Sequence, residues 1–315
     1  METALERLKK NQKKDAERIK TAARDEHSAL GTKRKTRLGR AGCRDSGTLL
    51  HKDVAVEHGN HLFVEYRKRI NGRFNQLRLR YLTVIHSLVG LDSGDVLRNC
   101  ERMVAQLRKV LTGKAWWLGV IETELVSLDL MRSFQSQEES HRHKLELINA
   151  LDDDGLAERS ENTSTRCLVH CHVVLDFGNV GARKSWIKEG ALRSELQKVW
   201  SGSRQVEMKR LSESWGNKRR SLKDNLFHIA HYGTKCGNEA LRFKLGFGRD
   251  YEEDVEAKMW KEFGKDLITD NDDGLVEDVR GLTGNEIKFL DRITRRLMDR
   301  RGKNGRGYVI GNRHK

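Results

Sequence analysis

The chain has 315 residues, enough for one large domain or two small ones, and its formal net charge is +15 with a pI near 9.7. The excess of Lys and Arg (61) over Asp and Glu (46) predicts a polyanionic partner, with nucleic acid ahead of an anionic membrane surface. The sequence contains no run of about 20 apolar residues and its charged N-terminus lacks an apolar core, so we expect neither a membrane-spanning helix nor a secretion signal.

Composition divides the chain into three regions. Residues 1–58 are rich in Lys and Arg with sparse apolar positions, which predicts a partly flexible basic arm that contacts phosphates without sequence preference. Residues 59–248 show the periodicities of a globular domain. Residues 249–315 predict a helical C-terminal region with a basic tail, in which the capping box from Thr283 to Glu286 marks the start of a helix.

Strands and helices are mixed within the globular region. Apolar or alternating runs predict strands over residues 77–85, 116–126 and 166–176. Helical spacing predicts helices over 93–111, 183–200 and 221–236, and the polar segment 133–165 has room for a short helix. Because strict βαβ alternation is missing, we predict an α+β fold with a central antiparallel sheet flanked by helices and with helical N- and C-terminal extensions. The helix over 183–200 is expected to bury Ile187, Ala191, Leu196, Val199 and Trp200.

The cysteines bear on the compartment. All five are scattered along the chain and no CxxC pair exists, so neither a disulfide framework nor a structural zinc site is indicated. A reducing cytoplasm is the compartment that this pattern favours.

The strand over 166–176 carries two histidines on one face. Side chains two apart on a strand point the same way, so Cys167 and Cys171 belong to an apolar face whereas His170 and His172 share the opposite one. Two neutral imidazoles at this spacing can bind one cation. The alternative is a pair of solvated histidines on a half-exposed strand.

The strand over 116–126 carries two carboxylates that could bind the same cation as the two histidines. Glu122 and Glu124 share a face within an otherwise apolar run, and a buried carboxylate is unfavourable unless it is paired or bound to a metal. Carboxylate oxygens complement imidazoles around Mg or Mn. If the two strands are neighbours, either residue could complete the site, and Glu122 is preferred because it lies deeper in the apolar run. The alternative is an edge-strand carboxylate in solvent.

The helix over 221–236 carries a tyrosine with cationic neighbours. His228, Tyr232 and Lys235 lie on one stripe, apart from the apolar stripe of the helix. A nearby cation favours the phenolate, which makes Tyr232 a candidate nucleophile. The alternative for an isolated tyrosine is simple packing.

Taken in chain order, these features resemble a known family. Leu82–Val84, His170-x-His172 and Tyr232-x-x-Lys235 resemble motifs one, two and three of the HUH endonucleases. More narrowly they resemble the one-tyrosine replication initiators, the Rep proteins of rolling-circle plasmids. The similarity spans roughly residues 60–245, and it implies a central antiparallel sheet of the HUH type.

The resemblance also implies a site and a reaction. His170, His172 and Glu122 would hold a divalent ion, Mg or Mn, while Tyr232 attacks a plasmid origin to leave a 5′-phosphotyrosine link and a free 3′-hydroxyl. Lys235 would hold the phosphate or lower the pKa of the tyrosine. His228 stands where these initiators often carry a glutamate that helps to end the reaction.

Partners and competing functions follow from the same features. The resemblance implies origin DNA, as duplex and as exposed single strand, together with a host helicase and polymerase, and it implies no membrane. An HUH transposase would use the same parts on different DNA ends. A non-catalytic basic DNA-binding protein would bind without metal and without nicking, and a metallohydrolase would cleave without a tyrosine adduct.

Overall fold

The computed structural model describes most of the predicted globular region and two segments near the C-terminus. Predictions made for residues 1–51, for most of the C-terminal region 249–315 and for Lys235 fall outside the described residues. No described helix is both long and apolar enough to cross a membrane. The described ranges are 52–70, 78–128, 139–154, 165–178, 181–211, 214–215, 218–219, 221–232, 284–299 and 309–312.

Five strands form an antiparallel sheet in the order β4-β1-β3-β2-β7. The long strands β1, β2 and β3 lie together at its middle, with β3 between the other two. A separate pair, β5 and β6, forms a small ribbon. The strands are β1 Leu79–Val89, β2 Trp116–Ser127, β3 Thr165–Asp176, β4 Val206–Arg210, β5 Ser214–Trp215, β6 Lys218–Arg219 and β7 Val309–Gly311.

Six described helices flank the sheet, so the α+β class with an antiparallel sheet is confirmed. They are α1 Lys52–Ile70, α2 Ser93–Leu111, α3 Glu139–Asp154, α4 Ala182–Val199, α5 Leu222–Tyr232 and α6 Gly284–Asp299.

One side of the sheet, the α2 face, bears the odd-numbered side chains of β3. Cys171 on this face lies near Cys100 of α2, and burial raises the pKa of its thiol. The buried guanidinium of Arg80 also reaches this side, where it donates to Ser185 and Glu189 of α4. Helices α2 and α4 therefore cover this face, and α6 packs on α2.

The opposite side, the histidine face, bears His170 and His172. At one end α1 covers it, because Tyr66 donates to the carbonyl of Leu118 at 3.4 Å and Arg69 lies 3.5 Å from Asp176. At the other end α3 packs its apolar side chains against the sheet. These side chains and their partners form one buried cluster of Leu88, Val126, Leu128, Leu147, Ile148, Leu151 and Leu168. The two histidines lie between these two covered ends.

The boundaries of α2 follow the sequence signals. The helix occupies Ser93–Leu111, as predicted. The side chain of Asp92 caps its start by accepting from the backbone N–H of Asp95 at 2.8 Å, and Gly113 follows its end with φ of 79°. The helix expected after Thr283 begins at Gly284, and the room for a helix in 133–165 is filled by the 16 residues of α3.

The prediction for the inward face of α4 is partly wrong. Leu196 and Trp200 are buried and Val199 is partly so, but Ile187 is 63% exposed and Ala191 is exposed. The inward stripe runs instead through Ser185, Glu189, Leu192 and Leu196, at helical spacing. Its first two members are polar because they bond the buried guanidinium of Arg80, so an apolar pattern could not reveal them.

Two short strands of the five-stranded sheet, β4 and β7, have no counterpart among the predicted elements, and neither do the two strands of the separate ribbon. Strand β4 alternates over only five residues, and its exposed positions are charged. Strand β7 has three residues and pairs with Leu118–Val120 of β2. Neither run is long enough to give a periodic signal in the sequence. Each forms a strand because it pairs with a longer strand beside it, which the sequence of the run itself does not show.

Candidate metal centre

Strand register brings the predicted histidines and carboxylates together. Because β2 and β3 are antiparallel neighbours, Glu122 lies directly opposite His170, and Val120 lies opposite His172. The strands also approach closely at Gly119, where a Cβ atom would collide with the carbonyl oxygen of His172. The sequence-based expectation that these strands are adjacent is confirmed.

Three side chains form a compact ligand group at this point. Glu122 Oε2 lies 3.0 Å from Nε2 of His172 and 3.6 Å from Nε2 of His170. The imidazole rings are perpendicular, with centroids 5.1 Å apart and an interplanar angle of 89°. One ligand atom from each residue lies within 4.8 Å of the others, so the group could hold a metal ion.

The group is buried rather than solvated. Glu122, His170 and His172 are 5%, 4% and 7% exposed. The alternatives of solvated histidines and of an edge-strand carboxylate in water are therefore wrong. Imidazoles and a carboxylate are placed in a core only when hydrogen bonds, ion pairs or a metal compensate for the lost water.

Glu124 supplies a second buried carboxylate beside the group. Its Oε2 lies 3.3 Å from Nε2 of His170, and it stands one strand repeat further along the same face. Glu122 contacts both imidazoles, whereas Glu124 contacts one of them. The central position of Glu122 makes it the better metal ligand, and Glu124 adds negative charge on the side of His170.

Strand β1 orients one of the two rings. Thr83 lies opposite His172, and its Oγ1 is 3.0 Å from Nδ1 of that histidine. The ring of Tyr81 stacks on the same imidazole at 5.4 Å with an interplanar angle of 7°. If Nδ1 carries the proton and donates to Thr83, Nε2 keeps its lone pair for a metal. Sequence reasoning assigned no role to Thr83, although its place in the motif-one strand was the available signal.

The donor set fits a divalent ion. Nε2 of His170 is buried, and no described residue gives it a hydrogen bond. Two imidazole nitrogens and one carboxylate oxygen suit Mn, Zn or Fe, and they also accept Mg when water completes the coordination. Three protein ligands would leave coordination positions open, as catalytic sites require.

The helix that carries the candidate tyrosine contacts the helix that covers one end of the histidine face. Helix α5 packs against α1 through Phe63 and Phe227, whose rings meet edge-on at 5.3 Å. The apolar stripe predicted for α5 is buried where the structure describes it, at Leu222, Leu226, Ile229 and Ala230.

His231 fixes the contact between these two helices. Its Nδ1 lies 2.9 Å from the carbonyl oxygen of Phe227, and its Nε2 lies 3.2 Å from Oδ1 of Asn60. The ring also packs against Gly59, where a Cβ atom would come within 2.5 Å.

The predicted catalytic residues are described to different degrees. Tyr232 is the last described residue of α5, and its side chain lies outside the described part of the molecule. His228 lies one turn earlier and is partly exposed, and Lys235 is not among the described residues. The structure thus brings together His170, His172 and Glu122, and it places the helix of Tyr232 on α1, which itself covers the histidine face.

The chain shows no match to a protein-family model, a curated protein or a solved structure. A fold class would not establish an activity in any case, because one fold carries many functions. Function is therefore inferred from the chemistry and the placement of the site residues.

Proposed function

We propose that this protein is an HUH-type endonuclease that nicks one strand of a plasmid origin to start rolling-circle replication in the cytoplasm. The observation that carries the proposal is the convergence of Glu122, His170 and His172 on one face of an antiparallel sheet. Two histidines spaced H-x-H on a central strand, with an acid from the adjacent strand, are the ligand set that the resemblance implies. The charge of +15 suits a DNA substrate.

The three ligands would hold Mg or Mn. When bound, the ion would polarise the scissile phosphate and stabilise the negative charge that grows on the leaving oxygen. Glu122 would offset the charge of the ion, and Thr83 would favour the tautomer of His172 that keeps Nε2 free of a proton by accepting from Nδ1.

Tyr232 would act as the nucleophile. Its phenolic oxygen bonds to phosphorus as the bond from phosphorus to the 3′ oxygen breaks. The phenolic proton passes to a base, for which His228 stands one turn away on α5, and the leaving oxygen takes up a proton to become the free 3′-hydroxyl. This role is supported by the packing of α5 on α1, since α1 itself covers one end of the histidine face.

A nicking assay tests the proposal. The full-length protein is incubated with a random-sequence pool of single-stranded oligonucleotides labelled at the 3′ end, because the 5′ phosphate of the downstream fragment stays on the tyrosine. We expect an SDS-resistant labelled band with Mn, and no such band with EDTA or with Glu122→Gln. Tyr232→Phe should abolish the band, and Tyr251→Phe is the matched control that retains it.

The other functions predict different results. A labelled band that persists in Tyr232→Phe removes this tyrosine from the mechanism. Cleavage without a band indicates a metallohydrolase, and binding without cleavage in Mn and in Mg indicates a non-catalytic DNA-binding protein. Sequencing of the attached DNA gives the preferred cut sequence, and the occurrence of that sequence at a plasmid origin or at the ends of a mobile element separates an initiator from a transposase.

A further inference from the structure

Helix α4 exposes two large apolar side chains next to each other. Trp186 is 66% exposed and Ile187 is 63% exposed, and the third exposed large apolar residue among those described, Val64 on α1, is less so at 44%. Single exposed apolar residues are ordinary, whereas an adjacent tryptophan and isoleucine mark a contact surface. Gly190 lies one turn after Trp186, and a Cβ atom added there would meet nothing within 4 Å, so the space beside the indole is open.

Basic groups surround this apolar pair. The guanidinium of Arg210 on β4 lies over the indole ring of Trp186, 5.0 Å from its centroid. Arg183 and Lys184 precede Trp186 and Ile187 by three residues each, on the same sides of the helix, and both are exposed. We call Arg183, Lys184, Trp186, Ile187, Gly190 and Arg210 the Trp186 patch.

Glu189, the acidic residue in the first half of α4, already binds arginine side chains. Glu189 accepts from Arg80 at 2.7 Å and from Arg193 at 3.2 Å, and it lies 4.0 Å from Arg210. The first half of α4, residues 182–190, holds three basic residues against this one acid. The patch therefore presents an indole with a surplus of positive charge.

The Trp186 patch is separate from the metal centre. Helix α4 lies on the α2 face of the sheet, because Ser185 and Glu189 bond to Arg80 on that side. Arg210 lies opposite Arg80 in the pairing of β4 with β1, so it projects to the same side, and β4 is the end strand of the described sheet. The metal ligands project from the opposite face.

We propose that the Trp186 patch binds single-stranded nucleic acid, with one base stacked on the indole of Trp186 and the flanking phosphates held by Arg183, Lys184 and Arg210. Base stacking on an exposed aromatic ring combined with a basic track is how proteins hold single strands without sequence preference. The surplus of positive charge favours a polyanion over an apolar protein surface. This site needs neither the metal group nor Tyr232, so it stands whether or not the protein nicks DNA.

Fluorescence anisotropy with labelled oligothymidylate, in EDTA, tests the proposal. The probe is compared with an equally long oligonucleotide of abasic residues, which keeps the phosphates and removes the bases. Wild-type protein should prefer the base-bearing strand, and Trp186→Ala should weaken binding to it by about 5- to 100-fold while leaving the abasic strand nearly unaffected. Trp186→Phe should retain part of the preference, and Val64→Ala is the control for loss of an exposed apolar side chain.

Each other outcome overturns the proposal. It fails if the wild-type protein does not bind oligothymidylate, or if the preference for bases persists in Trp186→Ala. It also fails if Trp186→Ala changes the sedimentation coefficient of the free protein and leaves DNA affinity unchanged, because the patch would then be a protein interface. Circular dichroism of each variant shows that it is folded, and Mn binding by Trp186→Ala should equal that of the wild type.

Discussion

The state of His172 decides whether the ligand group can accept a metal. Its two ring nitrogens face different partners, Thr83 at Nδ1 and Glu122 at Nε2, each at 3.0 Å. In the tautomer with the proton on Nδ1, the ring donates to Thr83 and keeps Nε2 as a ligand. In the other tautomer, Nε2 carries the proton and is closed to metal.

Thr83 should therefore control metal affinity without touching the metal. We expect Thr83→Val to weaken Mn binding by about 10- to 100-fold, because losing the outer partner of a histidine ligand has an effect of that order. Thr83→Ser keeps the hydroxyl and should restore most of the affinity. Isothermal titration calorimetry with Mn measures both variants.

Thr294→Val provides the control for this prediction. Thr294 is a buried threonine that lies on α6, which packs on α2 away from the ligand group. Its affinity for Mn should match that of the wild type. If Thr83→Val also binds Mn with wild-type affinity, Thr83 does not orient His172.

At the level of elements, the sequence predicts long periodic segments and the central site. Helix α2 and strand β3 carry strong patterns and their own end signals, so their limits need no tertiary information. Prediction of the ligand group required one further assumption, namely that the strand of Glu122 pairs with the strand of His170. The inward face of α4 and the strands β4 and β7 were missed because a buried arginine and pairing partners determine them.

The contact between α1 and α5 should be sensitive to added side-chain volume, and it positions the helix of Tyr232. Gly59→Ala would put a Cβ atom 2.5 Å from the ring of His231, which is held by Phe227 and Asn60. Alanine in a helix normally gains about 1 kcal/mol over glycine, but overpacking costs about 1–3 kcal/mol. We expect a net loss in the free energy of unfolding, measured by urea denaturation.

Gly90→Ala is the matched control for this substitution. A Cβ atom at Gly90 meets nothing within 4 Å, so the variant should be as stable as the wild type or slightly more stable. Gly59→Ala should also slow the formation of the covalent DNA adduct. A Gly59→Ala protein more stable than the wild type would show that the two helices are not tightly packed there.

At the scale of the whole molecule, buried neutral histidines make the fold sensitive to acid. Burial lowers the pKa of His86 to about 4, with help from the positive charge of Arg102, and Trp200 donates to its Nδ1 at 2.9 Å. Burial also lowers the pKa of His231. An unfolded histidine has a pKa of about 6.5. Between this pKa and the lower pKa of the folded state, the unfolded chain therefore binds more protons than the folded one.

Through His86, the free energy of unfolding should therefore fall as the pH drops from about 6.5 to about 4, by up to about 1.4 kcal/mol per pH unit, and His231 should contribute in the same direction. Above about pH 6.5 both states are neutral and the slope from these groups vanishes. Urea denaturation in EDTA at several pH values measures the slope.

His86→Gln should reduce the acid slope, and His61→Gln is the control because His61 is exposed on α1. An equal slope in wild type and His86→Gln would show that His86 is not buried in its neutral form.

Mass spectrometry of the covalent adduct most directly tests whether Tyr232 works with the metal group. After reaction with DNA in Mn, nuclease and trypsin digestion leaves a peptide of residues 224–235, in which Tyr232 is the single tyrosine. We predict that this peptide carries a nucleotide through its tyrosine, and that it is unmodified after reaction in EDTA or with Glu122→Gln. A nucleotide on another peptide, or on this peptide without metal, would contradict the account.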